Sequence, residues 1–398
     1  MSYYILPKIN TFFNIIPEDD INDCQIYISF SLYNFYNNIK TQIETICLQE
    51  TNLLFNDYQE IIKLVNPYEY IFSKVPGSKF SVSKLKPISP TFYDFLEIFL
   101  TFNILDSFKN KSIKSLHVTS NFNDTNYCIE MLRENFIDDI FFNFNEINEE
   151  LYKTISNSKI DIMLFNIVHT NINSYIINLI KTVMLILRFQ SFSGTSIIKI
   201  EYIFHKPIID LLYLLCSLFD KVYIIKPNSS NITTYEKYIV CKNFNTINDD
   251  KLEMYKSNYN KLNNFIQQLN NKNVKSIIDI EIPYYFINKL DDINIIIGQQ
   301  QLESLDQIIN IFKNKNREDK IENIKKSNIQ KSVSWCEKFK IPCNKFTEKT
   351  NIFLPIIKET KEPITINNEN VLIDDIENIE DIEDIKVIQN IQSIEDIY

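Results

Sequence analysis

The sequence predicts an α/β fold: a mainly parallel sheet with one antiparallel strand, flanked by helical extensions at both ends. Three observations point there. Between residues 111 and 245, short apolar runs alternate with amphipathic stretches, the pattern of successive strand–helix units. One such run, SIIKI, holds a lone lysine, Lys199, and another, EKYIVCKNF, opens on a lone glutamate, Glu236. A charge in a strand covered on both faces is costly unless it is paired or at work. Sites in open sheets gather at the carboxyl ends of the strands. If the Glu236 strand runs antiparallel to its neighbours, its first residue falls at that same edge, beside Lys199.

The elements follow in order. Residues 1–110 read as a helical N-terminal extension, with spaced apolar residues over Ile26 to Glu50 and Asn52 to Val65. Ile113 to Val118 is the first strand of the sheet. A helix (Thr125 to Asn135), a short strand (Asp139 to Phe144) and a helix (Ile147 to Ser156) lead to the IDIMLF strand. After the Lys199 strand come an amphipathic helix (Pro207 to Phe219), the strand KVYIIKP and the Glu236 strand. Residues 246–345 read as a helical C-terminal region: Leu252 to Asn270, Gln299 to Lys315 opening just after Gly298, and Lys320 to Lys340 with Trp335 as a core anchor. Residues 346–372 read as a linker.

The remaining segment, 373–398, is acidic and of low complexity. Isoleucine recurs every third residue from Ile373 to Ile397. On an α-helix that spacing rotates the apolar position by about 60° per repeat, so no coiled-coil seam forms. The tail reads as a disordered arm that orders on a protein partner.

Composition narrows the classes. Hydrophobic residues make up 45% of the 398 and aromatics 13%, ample for a sizeable core. The net charge of −10 is concentrated in the tail, whose nine acidic residues and one lysine leave the body close to neutral. Such a body lacks a global signature of nucleic-acid binding; Lys79, Lys84 and Lys86 read as an ordinary solvated turn, with a local basic patch as the alternative. Seven scattered cysteines with no C-x-x-C pair, and three distant histidines, argue against structural zinc and for free thiols in a reducing cytosol. No metal is expected. The start, MSYYILPKIN, has no signal-peptide pattern. The apolar stretches at Ile176 to Phe189 and Ile208 to Phe219 fall short of the roughly 20 residues of a membrane span, so no membrane association is expected.

The residues around Lys199 and Glu236 carry a more specific signal. A Gly-containing turn precedes IIKI; K-P-x-x-D-L-x-Y-L-L, YIIKP-x-S-S and E-K-Y-I-V-C-K-N-F follow. This frame resembles the carboxyl half of the FtsJ-like (RrmJ-type) ribose 2′-O-methyltransferases, particularly those encoded by large DNA viruses. The likeness extends over Asn66 to Ile98, Ile282 to Leu305 and Asn328 to Asn344. It implies a Rossmann-like methyltransferase sheet over residues 111–245, S-adenosylmethionine as the family's cofactor, and a Lys-Asp-Lys-Glu catalytic tetrad. Lys199 and Glu236 stand at the second lysine and the glutamate. A bias toward Asn, Ile, Lys and Tyr, with few Gly, suggests an AT-rich viral gene when joined to that resemblance.

The rest of the family's apparatus departs from its pattern. The first strand is followed by Thr119-Ser120-Asn121-Phe122-Asn123-Asp124, where the family has a Gly-rich cofactor loop. The whole chain has only Gly77, Gly194 and Gly298. Asn166 stands at the tetrad aspartate and Asp94 at the first lysine. Only about forty residues separate Val118 from the IDIMLF strand, so one strand of the methyltransferase half is expected to be missing. Methyl transfer to a ribose hydroxyl requires alignment and a lysine tuned to act as base.

Lys199 and Glu236 therefore read as a retained structural ion pair. The expected function is a non-catalytic homologue of an mRNA cap ribose 2′-O-methyltransferase that binds no cofactor. It is kept as a binding or scaffold subunit, with RNA or a capping-machinery protein as partner. The alternatives are an active RNA 2′-O-methyltransferase and a virion or assembly protein. The expected location is cytoplasmic, in a viral factory or virion.

Overall fold

The apolar runs, buried almost along their whole length, pair into one seven-stranded sheet, beside a separate two-stranded one. The structure is a computed structural model and describes residues 3–344 and 346, apart from 12, 23, 50–54, 135, 246–248, 270–271 and 315–316. The expected tail, and the expected linker apart from Phe346, lie outside the described residues.

In chain order, the N-terminal part contains β1 (Tyr3–Ile5), β2 (Glu18–Asp20), α1 (Phe30–Gln49), α2 (Phe55–Val65) and α3 (Thr91–Phe102). The central part runs β3 (Lys114–Thr119), α4 (Phe122–Leu132), β4 (Ile140–Phe144), α5 (Glu149–Thr154), β5 (Ile160–Asn166) and α6 (Ile172–Phe189). It continues with β6 (Gln190–Ile200), α7 (Lys206–Leu218), β7 (Phe219–Ile225) and β8 (Lys237–Phe244). Then come α8 (Asp249–Gln268), β9 (Asn273–Ser276), α9 (Tyr284–Lys313) and α10 (Glu318–Lys338).

The large sheet has the order β1-β7-β8-β6-β5-β3-β4. Parallel pairs join β4, β3, β5 and β6. The Glu236 strand, β8, runs antiparallel to both β6 and β7, as expected. A second antiparallel strand was not expected: β1 closes the β7 edge with Tyr3 opposite Ile225. An open edge presents unpaired backbone donors and acceptors, and a three-residue strand from the N-terminus satisfies them. The second sheet pairs β2 with β9; its EDD and NVKS strands are too short for a visible alternation.

Period-two alternation divides the core. Met163, Phe165 and Ile198 face one layer, formed largely by α6, α7 and α8. Ile162, Leu164 and Ile197 face the other, with α3, the second half of α4 and Trp335 of α10. A third cluster joins α1, α2 and the second half of α9 through Ile43, Ile61, Val65 and Ile308. The N- and C-terminal regions thus pack directly onto the sheet.

One expectation about α9 is overturned. The helix begins at Tyr284, not at Gln299, and Gly298 lies in its interior. An added Cβ at Gly298 would sit 2.6 Å from Leu32 Cδ2, so the glycine marks where α9 crosses α1 and is no helix start. α4 also begins earlier than expected, at Phe122, directly after the turn that follows β3. By length and composition α6 alone among the described residues could cross a membrane, and most of it is packed inside the protein.

Candidate functional site at the carboxyl edge of the sheet

Antiparallel pairing of β6 and β8 sets Lys199 opposite Tyr238 and Ile200 opposite Lys237. The residue before β8, Glu236, therefore reaches the edge where β6 ends, and Lys199 Nζ meets Glu236 Oε1 at 2.8 Å. The pair is partly sheltered, with 16% and 29% of the two side chains exposed. Asn166 ends β5; Phe165 is level with Ile198, and Asn166 itself is opposite Thr119 of β3, so it lies at the same edge one strand away.

Asp94 completes the group from α3. Its carboxylate accepts from Ser229 Oγ at 2.6 Å and from Tyr238 OH at 3.0 Å. Burial pushes the Asp94 carboxyl up to about 7; Ser229, Lys199 and Tyr238 pull it back, while Glu236 adds to the rise. Lys199, Glu236, Asp94 and Asn166 thus lie around one strand end.

A second acid lies one turn along α3. Glu97 is fully buried; its Oε2 accepts from Trp335 Nε1 at 2.9 Å and from Ser229 N at 3.2 Å. Its Oε1 has no partner, and burial raises its carboxyl above the ordinary range. Two lysines complete the surroundings. Lys226 Nζ donates to the carbonyls of Asn231, Thr234 and Glu236 at 2.7–3.0 Å, which ties the loop between β7 and β8. Burial, against the attraction of Glu236 and Asp94, lowers Lys226 to about 8. Lys237 is only 2% exposed and lies 5.8 Å from the Tyr235 ring centroid; burial and the nearby Lys226 lower it to about 7.

Sequence reasoning missed Ser229, Tyr238, Glu97, Lys226 and Lys237 as parts of this network. One signal was available: TFYDFLEIFLTF places two acids three residues apart in an otherwise apolar helix. Acids on that buried stripe need polar partners from elsewhere in the fold.

Strand order reverses beside β3, with β4 on one side and β5 on the other. Open α/β sheets bind ligands in the crevice above such a reversal, where backbone amides and glycine-lined turns approach the ligand. Here the turn is Thr119-Ser120-Asn121, without glycine, and it enters α4 at once. Asp124 in the first turn of α4 is turned inward. One oxygen accepts from Ile88 N at 2.8 Å, the other from Ser89 N at 2.7 Å and Ser89 Oγ at 2.6 Å. The 88–89 segment is thereby tethered to α4 beside the crevice.

Every position of this turn carries a side chain, so no glycine lets a ligand come close to its backbone. Of the four residues following β4, the one acid is Glu146, and it is exposed.

The histidines play other parts. His117 is buried between Ser115 Oγ, 2.8 Å from its Nε2, and Thr125 Oγ1, and burial lowers it to about 3, so it is neutral. His169 Nε2 lies 3.4 Å from Glu201 Oε2. Among the described residues no group of three His, Cys, Asp or Glu side chains could hold a metal ion, and the seven cysteines are free thiols. Two hollows lie elsewhere. One of about 260 Å³ lies between α2, α9 and α10; one of about 640 Å³ lies beside β2 and β9.

No protein-family model matches the chain, and no curated protein matches it.

Proposed function

We propose that this chain is a non-catalytic homologue of the FtsJ-like RNA ribose 2′-O-methyltransferases, kept as a binding or scaffold subunit of an RNA-capping assembly. The observation that carries the reading is the convergence of Asp94, Asn166, Lys199 and Glu236 at one sheet edge. These four positions, spread over 142 residues from first to last, are the ones that the resemblance assigns to one catalytic tetrad. Their meeting supports a Rossmann-like methyltransferase sheet, as does the antiparallel β8.

What the site can do chemically argues against catalysis. A ribose hydroxyl needs a base, an aligned methyl donor and a neighbouring cation to hold the charge that develops. Here the first-lysine position holds a buried acid already bonded to Ser229 and Tyr238. The aspartate position holds an amide, and the Lys199 ammonium is engaged with Glu236. The glycine-free turn after β3 supports the absence of cofactor binding, as does the engagement of Asp124 in α4 with the 88–89 segment beside it.

Calorimetric titration of the full chain with S-adenosylmethionine and with its demethylated product tests this reading. No heat of binding up to millimolar ligand is expected. Low-micromolar binding of either ligand would overturn it and make Lys199 the first residue to test for activity.

A further inference from the structure

We infer that residues 373–398 dock on this chain's own body, on the basic surface formed by residues 72–88. That stretch carries Lys74, Lys79, Lys84 and Lys86 and no acidic residue, in a chain of net charge −10. All four lysines are exposed. Between them Phe80 is 58% exposed and Ile88 73%, so the surface is apolar as well as cationic.

The path of the chain singles out this surface. Lys84 N donates to Pro342 O at 2.9 Å and Asn344 N to Val82 O at 2.8 Å, with Ser83 and Cys343 bridged. Phe346 then packs against the core around α3. The described chain therefore ends against residues 81–84, and whatever follows starts from that surface. A tethered segment meets a nearby site at an effective concentration of order millimolar, so a weak interaction suffices.

The tail's chemistry is complementary on both counts. It carries nine acidic residues against one lysine, Lys386, and isoleucine at every third position. Neither an α-helix nor a β-strand gathers that spacing onto one face, since their side-chain periods are 3.6 and 2. A helix of three residues per turn, such as the extended polyproline II form, places every isoleucine on one stripe with the acids beside it. Apolar contact with Phe80 and Ile88, and ion pairs with Lys79 and Lys86, are then made together. The alternative occupants of the surface are a phosphate-bearing ligand and the tail of a second copy.

Zero-length carbodiimide cross-linking of the full chain, mapped by mass spectrometry on a mixture of isotopically light and heavy protein, tests this. The expected products join tail carboxylates to Lys79 and Lys86 within single copies. They should vanish in the Lys79→Glu, Lys86→Glu double variant with an unchanged far-UV circular dichroism spectrum. They should also fade in 1 M salt, where screening acts within about 3 Å. Deleting 373–398 should raise the reactivity of Lys79 and Lys86 toward an amine reagent. Cross-links spread evenly over the body's lysines, cross-links only between light and heavy copies, or unchanged lysine reactivity after deletion would each overturn the proposal.

Discussion

Ser229 Oγ donates a 2.6 Å hydrogen bond to Asp94, reaching from the loop between β7 and β8 to a helix 135 residues earlier. That bond only partly offsets the burial of the carboxyl, which stays protonated up to about pH 7 in the folded chain. An unfolded aspartate ionises near 4. Between those values the unfolded state has released a proton that the folded state keeps, so stability falls as pH rises from about 4 to about 7. Glu97, also raised by burial, acts with the same sign. The slope contributed by Asp94 approaches about 1.4 kcal/mol per pH unit at most. Urea unfolding from pH 4 to 7 should show this decline, and Asp94→Asn should flatten it. An equal slope in the variant would assign the decline to other groups.

Lys237 reverses the trend on the alkaline side. Its folded value of about 7 lies below the unfolded lysine value, so from pH 7 toward 10 the unfolded state binds the extra proton and stability rises. Lys226, lowered to about 8, adds to the rise. The chain should therefore be least stable near neutral pH. Lys237→Met should stabilise it at pH 6 by about 1 kcal/mol or more and remove part of the alkaline rise. A variant less stable than the parent at pH 6 would show that the ammonium has a partner after all.

The Lys199–Glu236 pair is partly exposed, so its coupling falls between that of a surface bridge and that of a buried one. Lys199→Ala should cost about 1–3 kcal/mol, and Lys199→Met less because its chain fills the same space. Adding Glu236→Gln to Lys199→Met should recover part of the loss. A double-mutant cycle by chemical denaturation reads the coupling directly, and a value near zero would mean that the pair does not hold the strand ends together.

Gly298 sets two effects against each other. Alanine would improve helix propensity by about 1 kcal/mol, yet its Cβ would lie 2.6 Å from Leu32 Cδ2 and 3.1 Å from Leu32 Cγ. Leu32 is half-buried and can yield, so Gly298→Ala alone should be nearly neutral. In a Leu32→Ala background the clash is gone, and the same change should stabilise the chain by about 1 kcal/mol. Thermal unfolding of the four variants separates the outcomes.

The sheet was legible because it rests on local signals, short apolar runs with isolated charges within them, and the meeting of Lys199 with Glu236 follows once β8 is antiparallel to β6. The α9 boundary was not legible, because Gly298 reads locally as a break and only its contact with Leu32 shows a crossing. β1, β2 and β9 have three or four residues each, below the length at which periodicity can be counted.

The sequence by itself determined the α/β class, the antiparallel β8, and the absence of glycine from the turn that follows β3. Each of these is a property of residue identity and short-range spacing. Only the tertiary structure decided that Asp94 is bonded to Ser229 and Tyr238, that Asp124 is turned onto Ile88 and Ser89, and that Lys226 is held by three carbonyls. Side-chain partners and proton affinities depend on which groups from distant segments share a low-dielectric interior, and no local pattern encodes that proximity.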